Sequence, residues 1–286
     1  MSSPTRDQPA LAEHDRLGAG DPGARSLDDQ LVVELGRELR YRELRAAPGP
    51  RISFGRQAMS LSDAYAIQQA YVAARTQEGG RVVGQKVGMT NPVVQRLFNQ
   101  TQPDYGVLFE DMVLPDGARL ASRALIQPQV EAEVAFLLRD AVSGPGATAA
   151  SVLEATSGLI PCFEVIDSRI LDWDITIFDT IADNGSSARV VLGSVLVRPS
   201  DVDLATMGVV LERNGEIVDT GAGAAVLGHP AASVAWLANT LAAHGGRLER
   251  GALVLSGALT TAVPASCGDN FEALFAELGR VRCRFA

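Results

Sequence analysis

Between Ile126 and Leu138 the chain reads Ile-Gln-Pro-Gln-Val-Glu-Ala-Glu-Val-Ala-Phe-Leu-Leu, an apolar run of strand length that carries two carboxylates. Val130, Ala132, Val134, Phe136 and Leu138 share one parity, and Glu131, Glu133, Ala135 and Leu137 share the other. That is the period of two of a β-strand, so both glutamates point the same way. Two steps of strand rise separate their backbones by about 6.6 Å, within reach of one cation for two flexible carboxylate arms. Left alone, like charges that close repel and raise a pKa, which calls for something positive between them. A solvated strand face is the plain alternative, since charged residues are mostly exposed. Against it, the glutamate face turns apolar at once at Ala135 and Leu137.

A chain of 286 residues has room for one large or two small domains and a sizeable core. A net charge of −9 and no basic patch argue against a nucleic-acid partner. The apolar runs fall short of the ~18 residues that a spanning helix needs, so no membrane association is expected. The first 25 residues lack an apolar signal core, from which a cytoplasmic location is expected. Cys162, Cys267 and Cys283 are few and widely spaced, without a CxxC pair. The expectation is reduced, buried thiols packing as small hydrophobes.

Three segments are expected. Residues 1–25, rich in Pro, Gly, Ala and charge without periodicity, read as a disordered leader. Residues 26–80 read as an N-terminal helical segment, with one helix opened by a capping box at Ser26–Asp29 and a second opened by Ser60 and Asp63 and stopped at Gly79-Gly80. Residues 81–286 read as a catalytic, β-rich domain, beginning with a strand over 81–90 that contains Lys86 and a short helix opened by Asn91-Pro92. Ser151 to Gly158 is expected to be a short helix capped by Ser151 and Glu154, and residues 159–167 a strand carrying a third buried-looking acid, Glu164. Asp179 to Ala188, small and polar, is expected to be a loop that approaches a ligand. Strands follow over 190–192 and 195–197, then an Asn214-Gly215 hairpin joining 207–213 to 216–220. The glycine-rich stretch Gly221–Gly228 lacks the GxGxxG and GxxxxGK[ST] patterns and is not read as a nucleotide loop. Pro230 opens a helix that ends at Gly245-Gly246, and strands close the chain over 253–256 and 280–285.

Glu131, Glu133 and Glu164 are an all-oxygen set suited to Mg²⁺ or Mn²⁺ rather than zinc. Three protein ligands leave open positions for substrate or water, although glutamates in strands also pair with Arg or Lys. The motifs around them narrow the reading. Lys86-Val-Gly-Met-Thr, Gln102-Pro-Asp104-Tyr-Gly-Val-Leu-Phe-Glu-Asp-Met112, Val130-Glu-Ala-Glu-Val-Ala-Phe136, Glu164-Val-Ile-Asp-Ser-Arg-Ile170 and Asp179-Thr-Ile-Ala-Asp183-Asn184 occur in order. With Gly221–Gly228 and Pro264-Ala-Ser-Cys-Gly-Asp269, they resemble the 2-keto-4-pentenoate hydratase (2-hydroxypenta-2,4-dienoate hydratase) family from about residue 27 to the C-terminus. That family lies in the fumarylacetoacetate hydrolase superfamily, beside decarboxylases acting on 4-oxalocrotonate.

The resemblance implies an α+β fold, a mixed β-sandwich or roll of the fumarylacetoacetate hydrolase C-terminal type with flanking helices. It implies a divalent cation, a homo-oligomer, a small-molecule 2-hydroxydienoate substrate, and a place in meta-cleavage degradation of aromatic compounds, with a downstream aldolase or a decarboxylase as a partner. By position, Glu131, Glu133 and Glu164 become the metal ligands, and Lys86 and Asp104 the acid/base residues. From the residues alone, the plain reading of Lys86 is a surface strand lysine, against which neighbours Val82, Val83, Val87, Gly84 and Gly88 suggest burial, and Asp104 reads equally as a turn cap beside Pro103. Asn184, Ser186 and Thr261 are weaker candidates for substrate contacts; Asp183 either orients them or satisfies its own loop. The expected reaction is hydration of a 2-hydroxy-2,4-dienoate through its 2-oxo-3-enoate tautomer to a 4-hydroxy-2-oxoalkanoate. The alternatives are decarboxylation of 2-oxo-3-hexenedioate at the same site, and a non-catalytic partner subunit of a hydratase and decarboxylase complex.

Overall fold

The computed structural model describes residues 25–97 and 101–286; the leader expected over 1–25 lies, apart from Arg25, outside the described residues. The six helices described are α1 (Asp29–Arg45), α2 (Leu61–Gln77), α3 (Pro92–Leu97), α4 (Ala149–Ala155), α5 (Ile177–Ala182) and α6 (Pro230–Ala242). The strands are β1 (Val82–Gly88), β2 (Asp104–Phe109), β3 (Val113–Pro115), β4 (Ala118–Leu120), β5 (Gln129–Leu138), β6 (Thr156–Ile166), β7 (Ser187–Leu192), β8 (Gly208–Arg213), β9 (Glu216–Ala222), β10 (Leu253–Leu255), β11 (Val263–Pro264), β12 (Asn270–Phe275) and β13 (Gly279–Phe285). The α+β class expected from the sequence is what forms.

The strands make two sheets. The larger runs β2-β1-β10-β5-β6-β7-β3, with β11 added against the start of β5, and mixes parallel with antiparallel pairs. The smaller runs β4-β13-β12-β8-β9. Val130, Ala132, Val134, Phe136 and Leu138 of β5 enter a core shared by both sheets and by α6. Phe163 of β6 meets Phe271 of β12 edge to face at 6.5 Å, and Phe271 meets Phe285 of β13 at 5.8 Å, which locks the layers together. The opposite parity of β5 reaches a second apolar cluster only at Ala135, beside Cys162 and Leu255. The face that carries Glu131 and Glu133 therefore becomes core two residues later.

A third apolar cluster joins α1 and α2 to Ile170, Ile177 and Ile181. Polar groups fasten the same helices to the sheet: Gln68 Nε2 donates to the carbonyls of Tyr105 and Ile181 at 2.8 and 3.0 Å, and Arg75 pairs with Asp111 and Glu43. Ser60 and Asp63 form the expected capping box on α2. On α1 the cap is Asp28, whose carboxylate accepts from Leu31 N–H, whereas Ser26 donates its N–H and hydroxyl to Asp63.

Other boundaries differ for local reasons. Thr148, not Ser151, caps α4, because the chain turns in at Thr148 and Ser151 sits three residues inside as its capping partner; the helix ends at Ala155, so Gly158 belongs to β6. Residues 177–182 are helix rather than loop, since Asp179 accepts from Thr176 N–H and hydroxyl at its start. Residues 195–197 contribute a bridge at Val197 to Leu159 instead of a ladder strand. Of the three cysteines, all free, Cys162 and Cys283 are buried as expected, but Cys267 is exposed, on the turn before β12.

Candidate active site

Antiparallel pairing sets Glu131 of β5 directly opposite Glu164 of β6, with Glu133 opposite Cys162. Cross-strand partners project to the same face, so all three glutamates converge there, with one carboxylate oxygen from each within 4.8 Å of the others. Glu133 and Glu164 are buried. Gly257 donates its N–H to Glu133 Oε2 at 2.9 Å. Neither oxygen of Glu164 has a hydrogen bond, and its one compensating charge is Lys86 Nζ, 3.3 Å away.

Lys86 lies on β1, buried, and reaches this face from across β10. Burial depresses its ammonium, but the surrounding Glu164, Asp104, Glu131 and Glu133 outweigh that and raise it above the ordinary lysine range. Asp104, the first residue of β2, is fully buried, and neither carboxylate oxygen has a side-chain hydrogen-bond partner. It is register partner to Gly88, where a Cβ would stand 2.1 Å from Asp104 Oδ1 and 3.4 Å from Lys86 Nζ. The missing side chain at Gly88 is thus the space in which Asp104 and Lys86 meet. Burial and the charge of Glu164 push the Asp104 carboxyl up, with Lys86 opposing. Burial first, then Glu164, raises Glu131 to about 7, and the same causes carry Glu133 well above the ordinary range.

Two buried acids and a half-buried third, with one ammonium and one amide for company, hold uncompensated negative charge, and both oxygens of Glu164 lack donors. That deficit, at hard oxygen donors, fits a divalent cation. The fit rests on these residues themselves.

Glu131 and Glu133 open onto a cavity of about 530 Å³ that is also lined by Lys86, Asp104, Ser186 and Thr261, with Glu164 buried behind them. Two of the sequence candidates lie elsewhere. Asp183 is fully buried and closes an ion pair with Arg169 Nε at 2.7 Å, while its other oxygen accepts from Arg169 N–H and the Ser186 hydroxyl. Asn184 is spent on the backbone of Val107, accepting its N–H at 2.8 Å and donating to its carbonyl at 2.9 Å. The turn they form presses Gly185 onto the Lys86 side chain, where a Cβ would stand 2.4 Å from Cε. Asp183 and Asn184 thereby shape the lysine's bed instead of facing the cavity, which Gly185 and Ser186 do line. Thr261 lines the cavity but gives its N–H and hydroxyl to Asp219.

Sequence reading missed Gln129, Trp173, Ile175 and Asp219 on the cavity wall. Gln129 had a signal, standing two residues before Glu131 with the same parity. Trp173 is aimed by a left-handed backbone, φ 55°, and by a bond from its Nε1 to the carbonyl of Gln127, neither of which a local pattern announces.

A family model described as Fumarylacetoacetate (FAA) hydrolase C-terminal matches residues 64–286. The chain belongs to that family. It is 41% identical over 261 residues to the 2-hydroxyhexa-2,4-dienoate hydratase of Comamonas testosteroni, spanning 90% of this chain and 98% of that one. It is 47% identical over 222 residues to the 2-hydroxypent-2,4-dienoate hydratase of Pseudomonas putida, spanning 77% and 99%. Among solved structures, the 4-oxalocrotonate decarboxylase of Pseudomonas putida G7, complexed with magnesium and adipate, superposes with a TM-score of 0.90 at 36% identity, over 92% of this chain and all of that one. The chain is an enzyme of the 2-keto-4-pentenoate hydratase kind. No helix among the described residues is long and apolar enough to cross a membrane.

Proposed function

We propose that the protein adds water to a 2-hydroxy-2,4-dienoate, through its 2-oxo-3-enoate tautomer, and releases a 4-hydroxy-2-oxoalkanoate. The observation that carries this reading is the meeting of Lys86 and Asp104 at Gly88, on the wall of the same cavity as Glu131 and Glu133, whose carboxylates cluster with that of Glu164. The likeness to two dienoate hydratases supports it.

Glu131, Glu133 and Glu164 would hold Mg²⁺ or Mn²⁺, which supplies Lewis-acid stabilisation of an enolate-like charge. The ammonium of Lys86 draws the anionic end of the substrate into the acidic cavity and favours negative charge on an enol oxygen. Asp104, with burial raising its carboxyl and no hydrogen bond on its side chain, is free to carry the protons moved in ketonisation and in water addition. Ile166, Ile175 and Leu259 give the cavity apolar surface for the carbon chain of the substrate.

The test follows the absorbance loss of 2-hydroxypentadienoate with and without EDTA, alongside CO₂ release from 4-oxalocrotonate. Expected are chelator-sensitive loss of the dienoate and little CO₂. Faster CO₂ release than dienoate loss would assign the site to decarboxylation, and no turnover of either would point to a partner subunit.

A further inference from the structure

The loop over residues 257–262 forms a partition beside the glutamates. On one side it is bonded to the metal-facing strand: Gly257 N–H to Glu133 Oε2 at 2.9 Å, Leu259 N–H to the Ala132 carbonyl at 2.9 Å, and Ala132 N–H to Thr260 Oγ1 at 3.1 Å. On the other side runs β9, so close that a Cβ on Gly221 would stand 2.0 Å from the Leu259 carbonyl oxygen. Asp219, two residues earlier on β9, accepts the N–H and hydroxyl of Thr261 and the N–H of Thr220, each at 2.7 Å. It lines the same cavity as Glu131 and Glu133 but across the partition from their strand.

The charges on that wall are one-sided. Its charged residues are Lys86, Asp104, Glu131, Glu133 and Asp219, and the lysine is committed to Glu164 at 3.3 Å. No arginine lines the cavity among the described residues, while Trp173 and Ile175 give it apolar surface.

We propose that Asp219 makes the enzyme selective for substrates whose far end is uncharged, by repelling a second carboxylate there. The inference rests on the proposed reading of the site as one for 2-oxo and 2-hydroxy acids. Partial burial favours the neutral form of Asp219, but the bonds from Thr261 and Thr220 outweigh it and hold the carboxyl below its ordinary range. It is therefore ionised at neutral pH. A distal carboxylate would have to shed water into a wall whose one cation, Lys86, is already paired with Glu164 and to which Asp219 adds a fixed anion, whereas an alkyl end loses nothing there. Specificity of this kind is built from the unfavourable contact as much as from the favourable one.

The experiment uses the magnesium-loaded full chain and two ligands that differ only in the distal group, 2-oxohexanoate and 2-oxoadipate, titrated by calorimetry. The wild type is expected to bind 2-oxohexanoate at least about tenfold more tightly at low salt, the scale of one carboxylate pair at close range. Asp219→Asn should narrow that gap severalfold and Asp219→Glu should restore it. Salt should narrow the gap in the wild type and much less in Asp219→Asn, a readout that a purely structural role for Asp219 would not move. Equal affinities in the wild type at low salt, or a gap that survives Asp219→Asn unchanged, overturns the inference while leaving the hydratase reading intact. Should Asp219→Asn fail to fold, the wild-type salt titration and Asp219→Glu decide it: a gap indifferent to salt overturns it. Binding of neither acid overturns the reading of the site itself, and the inference with it.

Discussion

Glu131 and Glu164 stand directly opposite one another across the β5–β6 ladder, two like charges at a position where strands normally place complementary side chains. Such a pair destabilises a sheet by up to about 1 kcal/mol unless something positive lies between them. Glu131→Gln is therefore expected to weaken magnesium binding by about tenfold or more, since ligand charge sets the affinity of oxygen sites. In the metal-free protein the same change should leave stability level or slightly raised. Calorimetric titration and denaturant unfolding of the chelated protein measure the two effects. Full metal affinity with lowered stability would mean that Glu131 is structural.

The raised carboxyls give the metal a pH signature. Burial and Glu164 hold Glu131 at about 7 in the folded, metal-free chain, above the ordinary glutamate value. A carboxyl raised on folding binds more protons folded than unfolded, so its contribution to stability is present below the ordinary value and is lost as pH rises toward 7. A cation that replaces those protons reverses the loss. The rise in Tm on adding saturating magnesium is expected to be larger at pH 8 than at pH 6. An equal or smaller rise at pH 8 refutes the shared burial of these acids.

Period-two alternation made the strand around Glu131 and Glu133 legible, because side-chain parity is a local property of the chain. That Glu164 would face Glu131 was not, since register between strands 33 residues apart is fixed by the whole sheet. The capping pair Ser60 and Asp63 was readable for the same local reason, while Ser26 looked like a cap and instead binds Asp63 across the helix pair. The 179–188 segment was half legible from composition: its start is helix rather than loop, but Thr180, Gly185 and Ser186 do reach the cavity wall, and the missing side chain at Gly185 also admits the aliphatic part of Lys86. Asp219 carried no signal, because its importance comes from the contact of β9 with Thr261, 42 residues on.

Gly88 supplies a test of how tightly the acid/base pair is set. An alanine there puts a methyl group 2.1 Å from Asp104 Oδ1, so the carboxylate must turn away from its place beside Lys86. Overpacking of this kind costs about 1–3 kcal/mol, and misplaced catalytic groups cost up to about 100-fold in rate. Gly88→Ala is expected to fold with a Tm lowered by a few degrees and to lose at least about tenfold in kcat. Unchanged kcat would remove Asp104 from the reaction.

Asp63 ties the chain before α1 to the cap of α2. It accepts from Ser26, Leu27 and Ser60, and although burial opposes it, these donors hold its carboxyl down to about 2. A carboxyl lowered on folding contributes stability above its ordinary value and loses it as pH falls toward the folded one. Asp63→Ala should cost about 1–3 kcal/mol at pH 7, from the lost cap and the donors left behind. The difference between variant and wild type should shrink between pH 4 and pH 2 in denaturant unfolding. A difference that stays constant to pH 2 would mean the loss is one of packing alone.

Asp183 separates support from substrate binding. Its carboxylate is buried against Arg169, whose guanidinium also donates to the carbonyls of Asp167, Ser187 and Asp183 and lies over the Tyr71 ring. Removing one partner of a buried pair strands the other, at a cost of about 3–5 kcal/mol. Asp183→Asn is therefore expected to lower stability by several kcal/mol in denaturant unfolding. In the folded fraction below the melting transition, KM for the dienoate should change less than about threefold, because Asp183 is absent from the cavity wall. A KM raised tenfold at undiminished stability would place Asp183 against the substrate and contradict the buried pair. Loss of stability with KM preserved would fix its role as the anchor that keeps Gly185 seated on Lys86, and the lysine pointed at Glu164.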